Sequence, residues 1–247
     1  MRERVLLLTL CVWLGWPAGA AVTGADAERA GALARAALAD ELGVAAAEVE
    51  VLEVIGRRFP DVSLGLREPG CSYAQVVTRG HVVRLAAGGR EFEYRIADGR
   101  VMRVPEVPPG PAPEEMWVVQ VFAYRPDVDV ALHGHVACDR DAVLPLARWA
   151  PLTGPPLLAA LDFLIHDGLA PWEEQAGYMS EFPLPGVALA TASLAQGVLT
   201  LTIVDPENWT TGGACRIGIM RAQIEKTARQ FPEVEEVHIL PPTVLQP

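Results

Sequence analysis

The sequence has 247 residues, 51% of them hydrophobic and 21% charged, with 20 Lys+Arg against 31 Asp+Glu and a formal net charge of -11. Such a chain can bury the cores of one or two domains, which excludes a disordered acidic tail. An acidic balance without a basic cluster lacks the electrostatic footprint that phosphate neutralisation requires, so no nucleic-acid partner is expected.

Arg2 and Arg4 precede an apolar run from Val5 to Trp16, which Pro17-Ala18-Gly19-Ala20 closes with small residues. This is the charged, apolar and cleavage-site order of a secretory signal peptide, with cleavage predicted after Ala20. The run would rise only about 18 Å as a helix against a bilayer core of roughly 30 Å, so no retained membrane span is expected. Leu10 stands before Cys11 where a lipid-attachment box places a small residue, and no lipid anchor is expected. Loss of Arg2, Arg4 and Glu3 would take the net charge from -11 to -12. Lys226 is the only lysine, a skew that points to high-GC bacterial coding and hence to an exported protein of the periplasm or cell exterior.

Pro105 to Pro113 reads PEVPPGPAP, a proline-rich composition that acts as a semi-rigid spacer. It divides the chain into a signal peptide (1–20), a small domain (21–104), a linker (105–115) and a second domain (116–247). The expected fold class is α+β. In the first domain Thr23 or Asp26 caps a helix with Ala30, Leu33, Ala37, Leu38 and Leu42 at helical spacing, ended by Gly43. Extended structure begins at Val49, Val51 and Ile55. His81–Leu85, Glu91–Ile96 and Val101–Val104 then alternate around Gly88-Gly89 and Asp98-Gly99, which read as hairpin turns. The domain is predicted to be one helix on an antiparallel meander, a cystatin-like or PepSY-like topology by analogy.

The second domain opens with a strand through Val118, Val119, Val121 and Phe122. After Thr153-Gly154-Pro155, Leu157, Leu158, Leu161, Leu164 and Ile165 mark a helix ending at Gly168. Val187–Leu194 and Val198–Val204 flank Gln196-Gly197 as a hairpin. A second helix from about Gly213 carries Ile217, Met220, Ile224, Ala228 and Phe231, Pro232 stops it, and Val234, Val237 and Ile239 supply a last strand. The order β-α-β-β-α-β predicts a split, ferredoxin-like arrangement.

The residues from about Trp117 to Leu240 resemble the GerMN domain family. The resemblance is carried by Cys138, Thr153–Leu157, Ala176-Gly177-Tyr178, Gly197–Leu201, Gly212–Arg216 and above all Arg221-Ala222-Gln223-Ile224-Glu225-Lys226-Thr227, continuing through Gln230–Val234 to Val237-His238-Ile239. Where that family has a glycine-containing segment after its last strand, this sequence has Pro241-Pro242. The first domain is similar to a small domain found ahead of GerMN domains in exported bacterial proteins, through Asp61–Gly65, Pro69-Gly70, Tyr73–Val76 and Phe92–Arg95. That relative carries a cysteine where Leu66 stands, so its disulfide is not expected here. The resemblance implies a non-enzymatic envelope protein, related to ring-building modules, that acts by contact with another envelope protein or by self-assembly; it implies no catalytic residue and no cofactor.

Three cysteines, Cys71, Cys138 and Cys215, follow the predicted leader, enough for one disulfide and one remaining thiol. The resemblance favours Cys138 with Cys215, which in the chain-entropy model stabilises by up to about 4.5 kcal/mol, and leaves Cys71 free. His133-x-His135-x-x-Cys138 offers zinc-type ligands at short spacing, but a closed site needs a fourth and the cysteine is engaged, so no metal is expected. His166-Asp167 reads as a helix end. Glu173 with Glu174, and Asp205 with Glu207, are the carboxylates a glycosidase reading would use, and are otherwise solvated surface. No catalytic elbow, zinc helix or phosphate loop occurs. Trp209, between the hairpin and the second helix, is a candidate contact residue or a lid over the core. Val237 and Ile239, on the last strand, mark a candidate edge for strand addition. The alternatives to an envelope contact protein are a peptidase-inhibitor or small-ligand module in the first domain, and a cell-wall hydrolase.

Overall fold

The computed structural model describes residues 24–105 and 113–246. The predicted leader, Thr23 and residues 106–112 of the proline-rich spacer lie outside the described residues. The fold is α+β, and its contacts separate it into two compact units that meet in sequence at Met116 and Trp117.

In the first unit, α1 (Gly24–Leu42) ends at Gly43, whose φ of +66° is the left-handed value glycine tolerates. Four strands follow in one antiparallel sheet of order β1-β3-β4-β5: β1 (Glu50–Phe59), β3 (Thr78–Ala87), β4 (Arg90–Ala97) and β5 (Arg100–Arg103), with the two-residue β2 (Leu66–Arg67) in the long connection after β1. The turns are the anticipated ones, with positive φ at Gly88, Gly89, Asp98 and Gly99. The buried face of α1 is rotated from the expected one: Ala30, Gly31, Ala34, Leu38 and Ala39 are buried, while Leu33 and Leu42 are exposed. Small side chains let the helix lie close on β1, and a Cβ at Gly31 would sit 3.5 Å from Val54.

The first part of the connection between β1 and β3, residues 61–66, is buried and includes the polar Asp61 and Ser63. Asp61 accepts hydrogen bonds from the Ser63 amide and hydroxyl, from Arg67 and from Gln75. Arg95, also buried, donates to the carbonyls of Leu64, Pro113 and Glu114 and pairs with Glu93. Arg57 pairs with Glu114 and Arg67 with Glu115, and the Met116 amide donates to Gly65. Residues 113–116 are therefore a structural part of this unit. Desolvation lowers the pKa of Arg95, with Glu93 opposing the shift.

The second unit runs β6 (Met116–Tyr124), α2 (Pro126–His133), β7 (Val143–Ala150), α3 (Pro156–Asp162), α4 (Pro171–Gln175), β8 (Ala188–Ala195), β9 (Val198–Val204), α5 (Ala214–Arg229) and β10 (Glu236–Leu240). One core joins Val119, Val121 and Leu146 to Leu161, Leu199, Leu201, Ile203, Met220, Ile224 and Phe231. The strands pair in two sets. β6 is antiparallel to β7, and the second sheet has order β10-β9-β8, with β10 parallel to β9 and β8 antiparallel to it.

A single ferredoxin-like sheet would pair β6 with the second set. Instead α5 side chains bind backbone groups of β6. Gln230 accepts from the Gln120 amide at 2.7 Å and donates to its carbonyl at 2.6 Å; Thr227 accepts from the Phe122 amide, and Gln223 donates to the Phe122 carbonyl at 2.9 Å. Those groups are satisfied without a neighbouring strand. The Arg221–Thr227 and Gln230 stretch thus has a physical task in this unit.

Candidate functional site

The loop between β9 and α5 presents Trp209, 43% exposed. Asp205, the residue after β9, braces it from below. One carboxylate oxygen accepts the Trp209 amide at 2.8 Å, and the other accepts the Thr210 amide at 2.8 Å and the Thr210 hydroxyl at 2.6 Å. Burial alone would raise the Asp205 pKa, but these bonds favour the charged form and hold it below the ordinary aspartate value. Arg216 closes the other side, donating to the carbonyls of Trp209 and Thr211 while pairing with Glu181 at 2.7 Å. The indole N–H donates to Glu207 at 3.1 Å. Trp209 is therefore a partly exposed aromatic on a fixed loop.

The other two candidate contact residues face inward. Val237 is buried in the core and Ile239 packs against it, because alternate residues of β10 turn toward α5. The strand's side chains of that parity are not offered to a partner; Glu236, His238 and Leu240 are the exposed set.

Cys138 and Cys215 are joined by a disulfide with Cα atoms 5.4 Å apart, across a sequence separation of 77. It ties the loop after α2 to the first turn of α5. Cys138 has φ +57°, and the buried Asp129 holds that backbone in place. The Asp129 carboxylate accepts the amides of Ala137, Cys138 and Asp139 and the hydroxyl of Tyr124. Desolvation pushes its pKa up, and the bonds from Tyr124 and the three amides outweigh it, so the group sits below the usual range. Beside the disulfide an open cleft of about 400 Å³ is lined by Cys138, Asp139, Arg140, Gly218, Arg221 and Glu225. Arg140 pairs with Glu225 at 3.3 Å.

Cys71 is disulfide-bonded in the full-length chain; the expectation of a remaining thiol concerns the chain without its leader, in which Cys71, Cys138 and Cys215 are the three cysteines left. His133 bonds to Asp139 at 2.6 Å and His135 to the His133 carbonyl, so they do not converge with Cys138. No group of three or more His, Cys, Asp or Glu that could hold a metal occurs among the described residues. His166 pairs one turn back with Asp162 at 2.7 Å rather than with its neighbour Asp167.

The carboxylates read as solvated surface need correction in part. Glu173 is fully buried and takes a two-pronged ion pair from Arg148, at 2.6 and 2.7 Å, plus the Ala170 amide at 2.8 Å. Asp205 and Glu207 serve the Trp209 loop. Sequence reasoning missed the Arg148–Glu173 pair and the Asp129 hub, because their partners lie on other elements and no spacing rule connects them.

Among the described residues no helix is long and apolar enough to cross a membrane. Residues 32–104 match the model of a family described as a domain of unknown function (DUF8738), a similarity confined to the first unit. No curated protein and no solved structure matches the chain.

Proposed function

We propose that this chain is an exported bacterial envelope protein that works by protein contact, with a GerMN-like second unit as the contact module and the first unit as an accessory binding domain. The observation that carries the reading is the braced Trp209 loop. Large aromatics anchor protein interfaces, and a loop whose backbone is already held by Asp205 and Arg216 loses little freedom on binding. Export is supported by the leader-like order of residues 1–20 and by the Cys138–Cys215 disulfide, a bond that persists in oxidising compartments. The module assignment is supported by the GerMN-like sequence of Arg221–Thr227, in which Gln223 and Thr227 bind the backbone of β6.

Against a hydrolase stand the engagements of its candidate carboxylates: Glu173 is neutralised by Arg148, and Asp205 is spent on a turn. The reading is tested by crosslinking native envelopes, then purifying the tagged mature protein and identifying by mass spectrometry what is attached. The expected result is one stoichiometric envelope protein, lost with Trp209→Ala. Recovery of no protein above the untagged control would overturn it.

A further inference from the structure

The outer edge of β8 is a second surface, on different residues from the Trp209 loop. β8 ends the β10-β9-β8 sheet, and no described strand pairs with its other side. An open strand edge is a template for another strand, and proteins guard such edges with charge, proline or short length. The remaining edges among the described strands are guarded. β1 carries Glu50, Glu53, Arg57 and Arg58; β5 is four residues with two arginines; β2 is two residues; β7 contains Pro145 and Arg148; β10 is five residues with Glu236 and His238, and Pro241-Pro242 follows it. β8 reads ALATASLA over Ala188–Ala195, without a charge or a proline. No Asp, Glu, Lys, Arg or His occurs from Pro183 through Val204.

The hairpin geometry fixes which backbone groups are open. Gln196 and Gly197 form a two-residue turn with φ of +51° and +81°, closed by the pair Ala195 and Val198. A closing pair of this type exchanges both hydrogen bonds. Ser193 and Thr191, in register with Thr200 and Thr202, therefore bond to β9, while Ala192 and Leu194 turn their N–H and C=O groups outward. The register irregularity between Leu189 and Thr191 lies near the far end and leaves Thr191–Ala195 regular.

We propose that this edge is a self-association site, at which two copies of the chain pair β8 with β8 antiparallel about a two-fold axis and join their three-stranded sheets into one of six. A two-fold pairing makes this uncharged edge self-complementary, and it is there that two copies can meet, because at a net charge of -12 without the leader they repel over most other approaches. At β8 neutral meets neutral, and a two-fold pairing places each residue against one of the same uncharged set. Thr191, Ser193 and Ala195 line one face of the edge with small side chains whose hydroxyls suit cross-strand pairs. On the opposite face Leu194, 38% exposed, is an apolar side chain that pairing would cover.

The test is sedimentation equilibrium of the purified mature protein over a range of concentrations. The expected result is a mass rising toward twice that of one chain. Ser193→Lys, an exposed position, is expected to raise the dimer dissociation constant about tenfold or more by placing like charges across the axis. Leu194→Pro removes an outward N–H that has no internal partner, and is expected to do the same with circular dichroism unchanged. A wild-type protein that stays at the mass of one chain at every concentration would overturn the proposal, as would a dimer unaffected by Ser193→Lys. Recovery of a Trp209-dependent envelope partner is read separately, so either surface fails without the other.

Discussion

Glu173 gives the most demanding test of how the second unit is held together. Its side chain is fully buried and that of Arg148 is 16% exposed. Glu173→Ala removes both prongs of the ion pair and the acceptor for the Ala170 amide. What remains is a mostly buried guanidinium without a counter-charge. Breaking one side of a buried pair costs about 3–5 kcal/mol, and the partial solvent access of Arg148 places the expectation near the lower end, about 3 kcal/mol. Replacing both partners by apolar residues, Arg148→Met with Glu173→Leu, leaves no orphaned charge and is expected to cost about 1 kcal/mol or less. Urea unfolding followed by tryptophan fluorescence reads the effect, since Trp149 and Trp172 adjoin the two partners in sequence. A single-mutant cost below about 1 kcal/mol would refute the reasoning, because it is the value of a solvent-screened surface pair.

The Asp129 and Asp205 carboxyls sit below the aspartate reference of 3.8 when folded. Their contribution to stability is therefore complete above about pH 5, and is lost as pH falls through the unfolded value and then their folded values. Urea midpoints are expected to be flat down to that pH and to fall below it, with a shallower acid limb in Asp129→Asn; a fall beginning near pH 6 would contradict this assignment. Replacing Cys138 and Cys215 together by serine is expected to lower stability by up to about 4.5 kcal/mol, read as a shift in the urea midpoint of the second unit. Gly65→Ala would place a Cβ 2.1 Å from the Glu114 carbonyl oxygen at φ +78°. It should destabilise the first unit by about 2 kcal/mol or more, seen as a lower thermal midpoint with the second unit's transition unmoved.

The elements most legible in the sequence are those whose signal is local. Gly43 and the paired turns at Gly88-Gly89 and Asp98-Gly99 need left-handed backbone, which glycine supplies, and the observed meander follows from them. Ile217, Met220, Ile224 and Ala228 recur at helical spacing, and α5 buries all four. β7 was not legible, because Pro145 and Arg148 interrupt its alternation and its pairing with β6 spans the whole of α2. The division into two sheets was equally hidden. It depends on Gln223, Thr227 and Gln230 reaching β6 over separations of about a hundred residues, which periodicity does not encode. The candidate site was visible as a tryptophan in a turn-rich segment, while its bracing by Asp205 and Arg216 emerges from the folded loop.

The most direct test of the contact reading places a photo-activatable amino acid at position 209 of the mature protein and irradiates intact envelopes. The account predicts one discrete adduct with an envelope protein, absent when the same group is placed at the exposed Glu174. A position-209 product indistinguishable from the Glu174 control would contradict the claim that the Trp209 loop is a contact site.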